Sequence, residues 1–340
     1  MPVVSVIVPN YNHAQFLPRR LDSILSQTFA DFEVIYLDDA STDNSDKVIA
    51  SFLEDRRIRV IRNTVNSGSA FKQWNRGVRE ARGEYVWIAE ADDSAEPTLL
   101  SRLVPLLDQN PEVGIAYCQS MEVDGSGRTL RSFDYWTADL DQERWRHDFI
   151  ASGLEECAKY LVVKNTIPNA SGVLFRRSVF EQTGGVVETM KLCGDWITWV
   201  RMLLVSDLAF VSEPLNYFRS HAGTVRSATE QSNVLVLEQY QVISFILKRC
   251  PVSLEKKNQV LADLRKTWMS SFHFRGMCRF LRQGKAIFRQ ARPVDRFLAW
   301  KVAMNIVQTV LSACRKELGA RFNIHPRKWR DEFLASWKAH

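Results

Sequence analysis

Residues 84–97 read EYVWIAEADDSAEP. Tyr85 to Ala89 are mostly apolar, as a buried strand is, and three carboxylates, Glu90, Asp92 and Asp93, follow at once. Like charges that close repel one another and resist ionising together. Something cationic among them would make the arrangement tolerable. On a strand, residues two apart share a face, which puts Glu90 and Asp92 side by side. Hard divalent cations such as Mg2+ and Mn2+ take carboxylate oxygens and bridge them to substrate phosphates. The plain alternative is a solvated acidic loop. The motif alone does not decide between the two, but its place after an apolar strand favours a site.

Strand and helix signals alternate outward from that stretch. Val3–Pro9 is a β-branched run of the kind found in buried parallel strands. Leu17–Gln27 reads as helix, and Phe32–Asp39 as a second strand ending in two carboxylates. Ser41, Thr42 and Asp43 cap a helix expected to reach about Leu53. Ile58–Ile61 is a third strand, Ser69–Ala81 a helix stopped by Gly83, and Pro97 opens the helix before a fifth strand, Val113–Cys118. This order predicts an α/β fold with a mostly parallel sheet flanked by helices. Ligands of such sheets bind beyond the carboxyl ends of the strands. Pro9–Asn12, Asp38–Asp39 and Glu90–Asp93 are therefore expected on one edge. Further on, 125–150 reads as a loop, Ala170–Arg177 as a strand and Gly194–Leu204 as a helix. Leu208–Arg219 is a strand with a turn at Glu213–Pro214, and helical periodicity sets in near residue 230.

Composition bounds the function. Hydrophobic residues make up 46% of the 340 and charged residues 25%, enough for a sizeable core. Residues 241–340 hold 21 Lys and Arg against 6 Asp and Glu, whereas residues 1–240 hold 24 against 33. An acidic body and a basic tail imply different partners. The reading places the first domain at 1–228, with halves 1–124 and 125–228, and a helical basic C-terminal region at 229–340. The six cysteines stand singly, without zinc spacing, as reduced cytoplasmic thiols do. The opening residues MPVVSVIVPNYN lack the pattern of a secretory signal, and no apolar run reaches the ~18–20 residues of a membrane span. There is no GxGxxG after the first strand and no phosphate loop of the GxxxxGK[ST] type, which argues against dinucleotide and P-loop chemistry.

The ordered set VSVIVPNYN, LDDASTDNS and NSGSAFKQWNRGVREARGEYVWIAEADD resembles the nucleotide-binding half of family 2 glycosyltransferases, the inverting, metal-dependent enzymes of GT-A fold. Downstream, ASGVLFRRSVFEQTGG, CGDWITWVRM and NYFRSHAGTVRS are similar to the family's acceptor-side strand and helix, its base-bearing segment and its closing element. The resemblance implies a residue-by-residue assignment. Pro9 and Tyr11 would line the base pocket, and Asp39 would take the uracil N3–H. Asn66 and Lys72 lie in the segment expected to face the donor, with Lys72 set to neutralise phosphate charge. Glu90, Asp92 and Asp93 would form the acidic motif that binds the Mn2+ or Mg2+ ion, the diphosphate and the ribose. Where the family usually has Asp first, this chain has Glu90, so Asp92 and Asp93 are the better metal ligands. Asp195 would be the general base. His221 would approach the metal or diphosphate, supported by Arg219. Taken singly, Asp195 reads as a helix cap and His221 as a surface histidine.

The chemistry stands beside the name. A departing nucleoside diphosphate concentrates negative charge that a divalent cation stabilises. An acceptor hydroxyl is a poor nucleophile at neutral pH, so a carboxylate must take its proton. In the tail, Phe297, Trp300, Met304, Val307, Leu311, Cys314 and Leu318 form one apolar helical stripe, expected to pack on the protein. The surrounding basic, Trp-bearing surface suits an anionic membrane. No nucleic-acid recognition motif accompanies it, which argues against a nucleic-acid partner. The resulting expectation is transfer of sugar from a UDP-linked donor to a glycan or lipid-linked acceptor in surface polysaccharide assembly. The enzyme would be cytoplasmic or peripheral on the inner membrane. The rival is a nucleotide-sugar-binding subunit without catalysis.

Overall fold

The computed structural model describes residues 1–220, 234–270, 272 and 277–309. The chain divides into two compact units, Met1–Lys256 and Lys257–His340. The first takes in the helix Val234–Leu247, which the sequence reading grouped with the C-terminal region.

In the first unit the elements run β1 (Val4–Asn10), α1 (Leu17–Leu25), β2 (Phe32–Asp38), α2 (Ser45–Ala50), β3 (Ile58–Arg62), α3 (Ala70–Glu80), β4 (Tyr85–Ile88), β5 (Ser94–Ala95), α4 (Leu99–Gln109) and β6 (Val113–Val123). They continue with β7 (Thr129–Ser132), β8 (Phe149–Ala151), α5 (Gly153–Glu156), β9 (Val173–Arg176), α6 (Arg177–Gln182), α7 (Gly194–Leu203) and β10 (Asp207–Arg219). The sheet order is β3-β2-β1-β4-β9-β6-β10-β5, with β7 on β6 and β8 on β10. β1 pairs in parallel with β2 and β4, β2 with β3, and β6 with β10. β9 lies antiparallel between β4 and β6, so the long strands all point one way and end on one edge. Residues 125–150, read as loop, contain the short β7 and the start of β8. Pro214, expected to turn the chain, instead shifts the register within an unbroken β10.

β1 is buried along its whole length and β4 likewise, as strands covered on both faces must be. α1 presents Leu17, Arg20, Leu21 and Ile24 to the core at helical spacing. Gly83 joins α3 to β4 where a Cβ would stand 2.6 Å from the Ser5 backbone nitrogen. Only glycine allows the two segments to approach so closely.

The second unit is helical in its described parts. Trp268 is fully buried and meets the ring of Phe288 edge-on, centroids 5.1 Å apart. Leu298 and Val302 form the inner face of the helix at 298–309. The stripe expected to pack is therefore the outward one: Phe297, Trp300, Met304 and Val307 are 55%, 65%, 41% and 49% exposed. The segment is apolar on both faces, and the structure uses the other one. Leu311, Cys314 and Leu318 lie outside the described residues. Among the described residues no helix is long and apolar enough to cross a membrane.

Candidate active site

β4 ends at Ile88, so Glu90, Ala91 and Asp92 lie in a turn leading to β5, and strand alternation does not set their directions. Other contacts hold them. Glu90 accepts a hydrogen bond from Trp74 Nε1 at 2.7 Å, and its backbone N–H donates to Ser171 Oγ at 3.1 Å. Asp93 is 3% exposed and accepts from the Arg219 backbone N–H at 2.9 Å. Asp92 is partly buried, and its carbonyl accepts from Arg219 Nε at 2.7 Å.

The cation the carboxylates called for is first of all Arg20. It comes from α1, has no exposed surface, and lies over the ring of Trp87 at 4.9 Å. None of its three guanidinium nitrogens has a hydrogen-bond partner among the described residues. Burial lowers its pKa to about 10, opposed by the charges of Asp93, Glu90 and Asp92. One cation is too little for this cluster. Burial and the neighbouring Asp92 raise Glu90 to about 8 and Asp93 to about 7, while Arg20 pulls both down.

Arg219, expected at the donor, is 4% exposed and engaged with backbone. Besides Asp92 it donates from Nη1 to the carbonyls of Asp124 and Gly125, at 2.9 and 3.2 Å, and its guanidinium lies over Phe16. Its place is to staple the acidic turn to the end of β10. Asp39 is 4% exposed. Its Oδ1 accepts from Asn63 Nδ2, the Ser67 backbone N–H and Gln73 Nε2, and its Oδ2 from Ser67 Oγ. Asn66 donates to the Asp39 carbonyl at 3.2 Å, and exposed Lys72 donates to the Ser67 carbonyl at 3.1 Å. Pro9 is buried within β1, whereas Tyr11 is 46% exposed just past its end. Asn10 Nδ2 ties this corner together by donating to Asp38, Ser41 and Ser45.

Asp195 stands in the first turn of α7, where Oδ2 accepts from Asn165 Nδ2 at 3.0 Å. Gly194 before it packs on the Phe71 ring, 2.5 Å from where a Cβ would be. α3 thus touches both groups: Trp74 binds Glu90 and lies 6.1 Å from Trp199 of α7, and Phe71 bears on Gly194. His221 lies outside the described residues.

Sequence reasoning missed Arg20, Trp74, Asn165, Ser171 and Glu238. Arg20 did leave a signal, a charge at a core position of the α1 stripe. Among the described residues no group of three or more His, Cys, Asp or Glu side chains is arranged to hold a metal ion. Mg2+ and Mn2+ need only one or two protein carboxylates when substrate phosphates supply the rest. Partly buried Asp92, beside Glu90 and Asp93, which hold their protons up to about pH 8 and 7, fits that role.

The profile of glycosyl transferase family 2 matches residues 5–184. The chain belongs to glycosyltransferase family 2. A glycosyltransferase from Nostoc, itself uncharacterized, is 28% identical over 256 residues, 70% of this chain and 74% of that protein. The glycosyltransferase GlyG of Streptococcus pneumoniae is 27% identical over 66% of this chain and 72% of its own. Among solved structures, S. aureus TarS 1-349 in complex with UDP-GlcNAc superposes with TM-score 0.71 at 19% identity, covering 93% of this chain and 92% of that one. The mannosyltransferase PcManGT of Pyrobaculum calidifontis, in complex with GDP-Man and Mn2+, superposes with TM-score 0.55 at 18% identity over 95% and 88%. These structures share the fold, a central α/β sheet of GT-A type.

The raised carboxyls of this glycosyltransferase make a pH prediction. Glu90 and Asp93 keep protons in the folded chain where the unfolded chain has released them. Their contribution to stability is complete below the ordinary carboxylate range and is lost as pH rises through about 7 and 8. In EDTA, the melting temperature should fall from about pH 5 to about pH 8 by this linkage and level off above that. The Glu90→Gln, Asp93→Asn double variant should flatten that slope. An equal slope in the variant would assign it to other groups.

Proposed function

We propose that this protein is a divalent-cation-dependent, inverting glycosyltransferase that moves a sugar from a nucleotide-sugar to a hydroxyl of a glycan or lipid-linked acceptor. The carrying observation is the buried, under-compensated acidic turn at the carboxyl edge of the sheet, linked through α3 to Asp195. A UDP-linked donor is supported by the UDP-GlcNAc bound to TarS, and cation dependence by the Mn2+ bound to PcManGT. Surface polysaccharide assembly on the cytoplasmic face of the membrane is the cellular setting that fits such an acceptor.

In this reading Tyr11 stacks on the base, and Asp39 takes its imide N–H through Oδ2, which holds one hydrogen bond where Oδ1 holds three. Asp92 and Asp93 of the acidic turn would hold the cation, and the family resemblance adds His221 as a further ligand. The bound cation supplies charge stabilisation for the leaving diphosphate. Arg20 and Arg219 keep the acidic turn in place. Asp195 accepts the proton of the acceptor hydroxyl as that oxygen bonds to the anomeric carbon. The bond from that carbon to the phosphate oxygen breaks, and the nucleoside diphosphate leaves with the electron pair. Attack opposite the leaving group inverts the centre. Asn165 fixes the orientation of the base.

Asp195→Asn should leave donor affinity near normal while turnover at saturation falls by about a hundredfold or more. Donor affinity by calorimetry and turnover by product formation separate the outcomes. Lost donor binding with surviving turnover would make Asp195 a binding residue.

The acceptor's membrane is the proposed partner of the second unit. Exposed Phe297, Trp300, Met304 and Val307 lie in a unit of 18 basic and 5 acidic residues, complementary to anionic lipid. Each Lys or Arg near such a surface contributes about 1 kcal/mol. The intact enzyme should sediment with anionic vesicles, less so in high salt. Trp300→Ser combined with charge reversal at Lys285, Arg289 and Arg292 should abolish this and leave donor binding intact. Equal sedimentation with neutral vesicles, or none with either, would remove the lipid from this account.

A further inference from the structure

Glu238 lies on the helix Val234–Leu247, outside every sequence motif of the site, and is 5% exposed. A buried carboxylate needs partners, and lysine or arginine is the usual one. No salt bridge to Glu238 is present among the described residues. Its partners are three successive backbone N–H groups, of Lys191, Leu192 and Cys193, each donating at 2.8 Å, the first to Oε1 and the others to Oε2. Cys193 is the N-cap of α7, whose own side chain makes no capping bond, and Asp195 is two residues further on.

We propose that Glu238 is a positioning residue for the general base: it sets where α7 begins, and so where the Asp195 carboxylate stands. This deepens the functional reading above and rests on Asp195 being the base.

The geometry supports such a role. The segment before α7 leaves α6 through two glycines of positive φ, Gly184 and Gly185, and beyond them its own backbone supplies the bond from the Met190 N–H to the Val187 carbonyl. It is pinned at two places. Asn75 of α3 accepts from the Val186 N–H at 2.9 Å and donates to the Val186 carbonyl and to Glu188. Glu238 holds the end nearest the chemistry. The two clamps come from opposite sides in sequence, one from the nucleotide-binding half and one from the helix after β10. A carboxylate at the start of α7 also complements the partial positive charge of that terminus. Asn165 holds the Asp195 side chain, Gly194 against Phe71 sets the depth of the helix, and Glu238 fixes the backbone from which both are measured. A shift of about 1 Å in a reacting group can cost about a hundredfold in rate.

Glu238→Gln keeps length and volume but offers one acceptor oxygen and turns an N–H2 toward backbone donors. Turnover at saturating substrates should fall between about tenfold and a hundredfold, while donor affinity measured by calorimetry stays within about twofold. Glu238→Asp keeps the charge on a shorter arm and should lie between wild type and Gln. Amide hydrogen exchange at 191–193 should quicken in the same order. Loss of thermal stability with unchanged turnover would reduce Glu238 to a stabilising contact and overturn the proposal. Rapid exchange of these amides in the intact wild-type enzyme would overturn it even if the variants fail to fold. Should Asp195→Asn keep full turnover while these amides remain protected, the assignment of the base would fall and the clamp would stand.

Discussion

A guanidinium with no exposed surface, lying beside three carboxylates, is the constraint on which the site depends. An isolated buried charge is expensive, and so is a cluster of like charges. Arg20 and the Glu90–Asp93 turn each make the other tolerable. The balance remains unequal, since burial and mutual repulsion still raise Glu90 and Asp93. Near neutral pH these carboxyls hold protons, which a ligand bringing a divalent cation with its phosphates to the carboxyl edge of the sheet would displace. Arg219 spends its donors on backbone carbonyls of the acidic turn and of residues 124–125, so it contributes rigidity more than charge.

The two halves of the first unit are coupled through side chains of α3. Trp74 reaches Glu90 on one side and Trp199 on the other, Phe71 meets Gly194, and Asn75 holds the loop at residues 186–188. A helix with three such contacts fixes the acidic turn and the Asp195 segment in one frame. Glu238 completes that frame from the C-terminal side.

Much of this was legible in the sequence because it depends on period and order. β-branched runs and Gly83 marked β1 to β4 and β6, though not the short β5, and the acidic ends of β2 and β4 marked the edge. The resemblance to family 2 glycosyltransferases rested on short motifs in order, and the profile match at 5–184 bears it out. What sequence did not reveal depends on tertiary contact. Nothing local tells that Arg219 faces carbonyls, or that Glu238 reaches back to Cys193 across 45 positions. The apolar stripe was misjudged for a related reason. Helical spacing identifies a face, but Leu298 and Val302 offered a second one, and packing chose it.

The central claim is that the acidic turn after β4 is the cation and diphosphate site. Equilibrium binding of UDP, with and without Mn2+, to the wild type and to Asp92→Asn tests it most directly. The account predicts Mn2+-dependent UDP binding in the wild type. It predicts loss of about tenfold or more of that affinity in Asp92→Asn, with the fold and the Mn2+-independent remainder unchanged, since a charge is removed at constant volume. Equal Mn2+-dependent affinity in both proteins would contradict it.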